Sequence, residues 1–285
     1  MSFRTIVIKE RSKLDLKLNY LVCRNDKEIK VFIPEISVLI LESTAISLTS
    51  ALISELIKNN VKIIFCDEKH NPESEVCAYY GCYNNSKKIL TQIQWDSLIK
   101  QQLWTLIIKE KIKKQSNFLK ELDLIKESEM LQQYRDEVEI NDITNREGHS
   151  AKVYFNAVFG MNFNRRDTDF INSALNYGYA ILLSCFNREV VRNGYLTQLG
   201  IWHRNEFNMY NLSSDLMEPF RVLVDKIAID LHKEENYKIA MLEMFNLQLE
   251  IDGKKQYLEN AISIYCKSIF SALEKNNLDL VEFYE

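Results

Sequence analysis

Seven glycines and three prolines in a chain of 285 residues leave few positions where the backbone can turn left-handed or must stop a helix. Long regular elements are what such a sequence can build. Their period changes near residue 85. Before it, residues 4–9, 15–23, 28–33, 38–41 and 61–66 read as strands, several alternating apolar with polar as a half-buried sheet requires. One helix over residues 47–59 interrupts them, with Leu48, Leu52, Leu56 and Ile57 as its apolar stripe. After it, the apolar spacing follows the helical period of about 3.6. Helices are predicted over residues 86–122, 130–138, 146–159, 169–188, 215–233, 237–249 and 255–275. Turn signals at Asn71-Pro72-Glu73 and Asn84-Asn85-Ser86 place a boundary at about residue 85. The expected fold class is α+β: a small β-rich N-terminal domain, residues 1–85, followed by an all-α domain, residues 86–285.

Several function classes drop out at once. No apolar run reaches the roughly 18 residues that span a bilayer, and the N-terminus lacks the pattern of a secretory signal, so a cytoplasmic protein is expected. The six cysteines form no Cys-x-x-Cys pair, which leaves a zinc finger unsupported and reads as small core or surface residues in a reducing compartment. No G-x-x-x-x-G-K-[ST] loop is present to cradle a nucleotide triphosphate.

The formal net charge of −4 conceals an uneven distribution. Residues 201–285 carry 9 basic against 15 acidic side chains, whereas from Lys87 to Lys114 there are seven lysines against Asp96 and Glu110. With Trp95 and Trp104 inside it, this stretch suits contact with phosphates, and Lys109, Lys111, Lys113 and Lys114 are its candidate DNA contacts. A solvated helix face accounts for the same lysines.

Three distant segments supply two carboxylates and an imidazole: Glu147 in N-R-E-G-H-S-A, His203 in Q-L-G-I-W-H, and Glu218 in S-S-D-L-M-E-P-F-R. Oxygen and nitrogen donors of this kind suit Mg²⁺ or Mn²⁺ and leave positions open for phosphate oxygens. Glu147, Ala151, Tyr154 and Val158 share one helix face directed inward, where a carboxylate is costly unless paired or metal-bound; a Glu in a first helical turn also suits the helix dipole. His203 falls in a loop after Gly200, where a histidine is commonly a hydrogen-bonded structural residue. Asp215, Glu218 and Pro219 equally read as a capping box with a first-turn proline.

Taken in order, these segments resemble the CRISPR-associated integrase that acquires new spacers. The matching residues are Glu147, Ala151 and Tyr154; Asn172, Leu175, Asn176, Tyr177 and Tyr179; Gly200 and His203; and Asp215, Leu216, Glu218, Pro219 and Arg221, with Asp225 beyond. The compact N-terminal part and the Asn-Tyr-Gly-Tyr-Ala wording look most like the version found in type II-A systems.

The resemblance implies a dimerising β-rich N-terminal domain and a helical catalytic domain. Glu147, His203 and Glu218 are then the catalytic residues and the ligands of a divalent metal, with Tyr154, Asp215 and Asp225 in support and Asp215 competing with Glu218 for the third position. Arg165 and Arg166 are candidate phosphate contacts. The implied activity is metal-dependent strand transfer, in which a prespacer 3′-hydroxyl attacks a phosphodiester at the edge of a CRISPR repeat, with nuclease activity on DNA. Implied partners are double-stranded DNA, a second copy of the chain, a small ferredoxin-like adaptor in a hetero-hexamer, and the type II effector nuclease with other adaptation proteins. A non-enzymatic DNA-binding scaffold and a metal-dependent nuclease without an integrase role are the competing functions.

Overall fold

The computed structural model describes residues 4–79, 82–232 and 236–285. The first three residues, and Lys233 at the predicted end of one helix, lie outside them. The chain divides into two compact units, Met1–Tyr79 and Tyr80–Glu285.

The first unit holds strands β1 (Arg4–Ile8), β2 (Ser12–Lys17), β3 (Tyr20–Arg24), β4 (Glu28–Phe32), β5 (Ile36–Leu41) and β6 (Ile46–Leu48), helix α1 (Ser50–Lys58), then β7 (Lys62–Cys66) and β8 (Pro72–Glu75). They form two sheets where one small sheet is expected. One has the order β1-β5-β7-β8, parallel except for β8, and the other β4-β3-β2-β6, an antiparallel meander with β6 parallel to β2. The predicted strand over residues 15–23 is two strands, because Leu18 turns the chain at φ 55°. Strand β5 is buried along its whole length, as a strand covered on both faces must be, and its Ile36, Leu39 and Leu41 share a core with Leu14, Leu21, Leu52 and Leu56. Thr49 caps α1 by accepting from the Leu52 N–H at 3.3 Å.

The second unit is built around α3 (Ser97–Glu121), which follows α2 (Asn85–Ile93). These replace one predicted helix, because Asp96 accepts from the Leu98 and Ile99 N–H groups at 2.9 and 3.0 Å and so starts a new one. Next come α4 (Ile125–Asp136), α5 (Arg146–Phe159), α6 (Phe170–Arg192), α7 (Asn211–Met217), a 3₁₀ turn over Glu218–Phe220, α8 (Arg221–Ile229) and α9 (Tyr237–Leu242). Pro219 breaks the helix predicted over 215–233, since it has no N–H for the Asp215 carbonyl and its ring crowds that group. The unit is not wholly α. Strands β9 (Gln248–Ile251) and β10 (Lys254–Tyr257) form a hairpin before α10 (Leu258–Lys275), turning at Asp252 and Gly253, whose φ values are 52° and 65°. An Asp-Gly pair is a strong two-residue hairpin signal, and it overrides the helical spacing predicted on either side. Among the described residues, no helix is long and apolar enough to cross a membrane.

Helix α6 runs through this core with Leu175, Ile181, Leu182, Cys185 and Phe186 fully buried. Gly178 lets it approach α8 and α9: a Cβ there would lie 2.5 Å from Val224 Cγ1 and 2.8 Å from Met241 Sδ. Alanine is preferred over glycine in a helix by roughly 1 kcal/mol, whereas overpacking a tight core costs about 1–3 kcal/mol. Gly178→Ala is therefore expected to lower the unfolding free energy by up to about 2 kcal/mol in urea denaturation. A rise in stability would show that α8 and α9 yield freely.

Candidate active site

Helix α5 begins after a turn in which Asn141, Asp142 and Asn145 all have positive φ. Asp142 accepts from the Arg146 and Glu147 N–H groups at 2.8 and 3.1 Å, satisfying the exposed start of the helix. Thr105 Oγ1 of α3 accepts from the Asn141 N–H at 2.8 Å, which ties the turn to α3. Glu147 is thereby fixed against α3, and its Oε1 lies 2.5 Å from Lys111 Nζ. Glu218 enters from the 3₁₀ turn that Pro219 imposes, and its Oε2 lies 2.5 Å from the same Lys111 Nζ. Its other oxygen accepts from Arg221 Nη1 at 3.2 Å.

His203 is held by Asp215. The fully buried Asp215 carboxylate accepts from the Ile201, Trp202 and His203 N–H groups at 2.6, 2.9 and 3.2 Å, and lies 2.5 Å from His203 Nδ1. Asp215 is thus not the helix cap read from its spacing; it sits inside α7 and folds the histidine loop around itself. Gly200 permits the close approach, since a Cβ there would lie 2.8 Å from Asp215 Oδ2. The loop also rests on Trp104 of α3. The Trp202 ring stacks on Trp104 at 5.6 Å with 7° between planes, and the His203 ring meets it edge-on at 84°. With Nδ1–H donating to a carboxylate, a neutral imidazole presents its Nε2 lone pair elsewhere, the arrangement common to metal-ligating histidines. That hydrogen bond, opposed by burial and helped by the charges of Asp215, Glu218 and Glu147, lifts the His203 imidazole above its ordinary value.

The electrostatics centre on one ammonium. Burial alone would push the Glu218 carboxyl up, but Lys111 and Arg221 hold it well below the usual carboxylate range. Burial works against the Lys111 charge, and Glu218 and Glu147 outweigh it. Glu218 Oε2 is buried, and the Lys111 ammonium 2.5 Å away is its partner. Among the described residues, no three His, Cys, Asp or Glu side chains are gathered closely enough to hold an ion as they stand. Two carboxylates converging on one cation, beside a tethered imidazole, are nonetheless a donor set that fits a hard divalent ion.

Of the supporting residues expected from sequence, Tyr154 and Asp225 meet, apart from Asp215. Tyr154 donates to Asp225 Oδ2 at 2.9 Å and Tyr179 donates to Oδ1, while Arg221 lies 4.2 Å over the Tyr179 ring and so links this cluster to Glu218. The lysine stretch is not one basic face. Lys111 is turned into the carboxylates. Lys114, expected at a phosphate, is buried, paired with Glu110 at 3.3 Å and donating to the Tyr284 carbonyl. Lys109 and Lys113 are half-buried, and Lys113 pairs with Glu110 at 3.2 Å. Arg165 pairs with neither neighbouring aspartate but donates to Asn172 and, at 2.7 Å, to Asn176; Arg166 is exposed. Sequence reasoning passed over Lys100 and Arg204. Both line a cleft of about 440 Å³ that includes His203, and a second of about 340 Å³ beside Trp202. The H-R pair at 203–204 was the available signal for Arg204, whereas Lys100 reaches the cleft only through the packing of α3.

The pattern of the family described as "CRISPR associated protein Cas1" matches residues 5–261. The chain belongs to this Cas1 family. A CRISPR-associated endonuclease Cas1 of Neisseria meningitidis serogroup C (strain 8013) is 32% identical over 242 residues, covering 85% of this chain and 80% of that protein. Its fold is also that of a casposase bound to integration product, with TM-score 0.74, 18% identity and coverage of 98% and 92%. A chain of a partial Cas6-RT-Cas1–Cas2 complex superimposes with TM-score 0.66, 17% identity and coverage of 98% and 97%.

Within this Cas1 fold, Asp225 has a pH signature of its own. Burial pushes its carboxyl up to about 6, against the hydrogen bonds from Tyr179 and Tyr154 and the nearby charges of Arg221 and Arg165. The folded state then keeps the proton to higher pH than the unfolded chain, whose ordinary value is 3.8. The stability this proton lends is complete below that value and is lost as pH rises through about 6. Asp225→Asn cannot ionise, so it should gain on the wild type by up to about 3 kcal/mol between about pH 4 and about pH 7. A stability difference between the two proteins that stays flat across this range would contradict the assignment.

Proposed function

We propose that this chain inserts the 3′-hydroxyl ends of a short DNA duplex into the repeat of a CRISPR array, with nuclease activity on DNA, and that Glu147, His203 and Glu218 hold the divalent ion the reaction uses. The observation that carries the site assignment is the convergence of the Glu147 and Glu218 carboxylates on one cationic nitrogen. A scaffold whose carboxylates only capped helices would have no reason to bring Glu147 and Glu218 from separate elements onto one nitrogen.

Glu147 and Glu218 supply the anionic oxygens and His203 supplies Nε2. Asp215 fixes the tautomer and direction of the imidazole, and Trp104 backs it. Mg²⁺ or Mn²⁺ bound there would neutralise charge on the phosphate and make a DNA hydroxyl, or water in the nuclease reaction, a better nucleophile. No protein nucleophile is needed, and the bond broken in the repeat is replaced by the bond formed, so no nucleotide triphosphate is consumed. Lys100 and Arg204 lie beside His203 in the cleft and are placed to take backbone phosphates; Lys109, Lys113 and Arg166 are further contacts of this reading. The ammonium of Lys111 belongs to the carboxylate pair rather than to the DNA. A homodimer formed through the β-rich unit, joined to a small ferredoxin-like adaptor protein, is the assembly that would hold both ends of the duplex, and the type II effector nuclease is a further partner of this reading.

The experiment is strand transfer by the purified chain with its adaptor, using a short duplex with free 3′-hydroxyls and repeat-containing DNA. Joined product is expected with Mg²⁺ or Mn²⁺ and none in excess chelator. Glu147→Gln and Glu218→Gln should each lower the rate by about 100-fold or more with the fold retained. Undiminished joining in chelator would overturn the metal reading.

A further inference from the structure

We infer that Lys111 is the counter-ion that holds the Glu147–Glu218 pair together while no divalent ion is bound, and that the ion enters by exchanging with its ammonium. This inference rests on the metal reading above. The three side chains come from separate elements, α3, α5 and the 3₁₀ turn after α7, so nothing local to one helix brings them together. Lys111 Nζ stands 2.5 Å from both Glu147 Oε1 and Glu218 Oε2. The lysine and Glu218 side chains are only 10% and 5% exposed, whereas Glu147 keeps 28%. Arg221 offsets part of the Glu218 charge through the other oxygen, and nothing comparable reaches Glu147 among the contacts described.

Remove the ammonium and two carboxylates face each other with one of them buried, an arrangement that repels and is poorly solvated. Leave it in place and a divalent cation on the same oxygens would meet a like charge at bonding distance. Both cations cannot hold those oxygens at once. The four-carbon stem of lysine lets the ammonium move while the stem stays packed. A site of this design keeps its carboxylates in place between rounds of ion binding, and loses part of its affinity for the ion to the exchange. Lys111 is thus a positioning residue of the active site.

The test measures Mn²⁺ binding by titration calorimetry and thermal unfolding in chelator and in Mn²⁺, on the full chain without DNA. Lys111→Met is expected to melt several degrees lower than wild type in chelator, to recover most of that loss in Mn²⁺, and to bind Mn²⁺ about tenfold more tightly. Lys88→Met removes a lysine paired with Glu274 instead and should leave Mn²⁺ affinity unchanged. Unchanged or weaker binding by Lys111→Met would overturn the inference while the metal reading stands; a wild-type chain that binds no Mn²⁺ would overturn both. If Lys111→Met is unfolded in chelator, the double variant Lys111→Met, Glu218→Gln should fold there, because the unpaired buried charge is gone. A double variant that is equally unfolded would show that the loss is not one of unpaired charge, and would overturn the inference.

Discussion

One buried ammonium balanced between two carboxylates is the constraint around which the catalytic unit is arranged. A lysine on α3, a glutamate on α5 and a glutamate after α7 meet at a single nitrogen, with both contacts at 2.5 Å. Each element must therefore be placed to within a fraction of an ångström by packing that lies elsewhere. Helix α3 is anchored by Leu103, Ile107, Ile108 and Ile112, all fully buried; α5 is registered by the Asp142 turn; and the 3₁₀ turn exists because Pro219 forbids the helix to continue. This cluster is a consequence of the core, assembled from a buried helix face, a helix start and a helix break rather than from one flexible loop.

Asp215 serves the same end by a different route. A fully buried carboxylate that accepts three backbone N–H groups and faces an imidazole organises a loop that has no regular structure of its own. Two acidic residues three positions apart thus differ in surroundings: Asp215 has both oxygens engaged by the histidine loop, while Glu218 faces a cation. Beyond Glu218, Arg221 connects the carboxylate pair to the Tyr154–Tyr179–Asp225 cluster, so a charge change at the pair is felt one layer deeper in the core.

Much of this was legible in the sequence, for reasons that can be named. The change of apolar period near residue 85 separated a β-rich part from a helical one, and Arg146–Phe159 was delimited as a helix because its apolar spacing and its ends agree. Elements were misjudged where a local signal competes with periodicity: Asp96 starting a new helix, Leu18 turning one strand into two, and Asp252-Gly253 making a hairpin inside a helical pattern. The sequence pointed to Glu147, His203 and Glu218 through the types and order that carry the family resemblance, and the structure brings Glu147 and Glu218 onto one nitrogen. Lys111 could not be assigned its partners, because a lysine on a long helix reads as surface until the elements packed against it are known. Trp104, read from sequence within a stretch suited to phosphates, is buried instead and backs the histidine loop.

The central claim is tested most directly by a crystal structure of the chain with Mn²⁺, read by anomalous scattering. The account predicts one manganese peak bonded to Glu147, Glu218 and His203 Nε2, with Asp215 still on His203 Nδ1 and the Lys111 ammonium moved off both carboxylates. Manganese bonded to Asp215 in place of Glu218, or bound with Lys111 unmoved between Glu147 and Glu218, would contradict it.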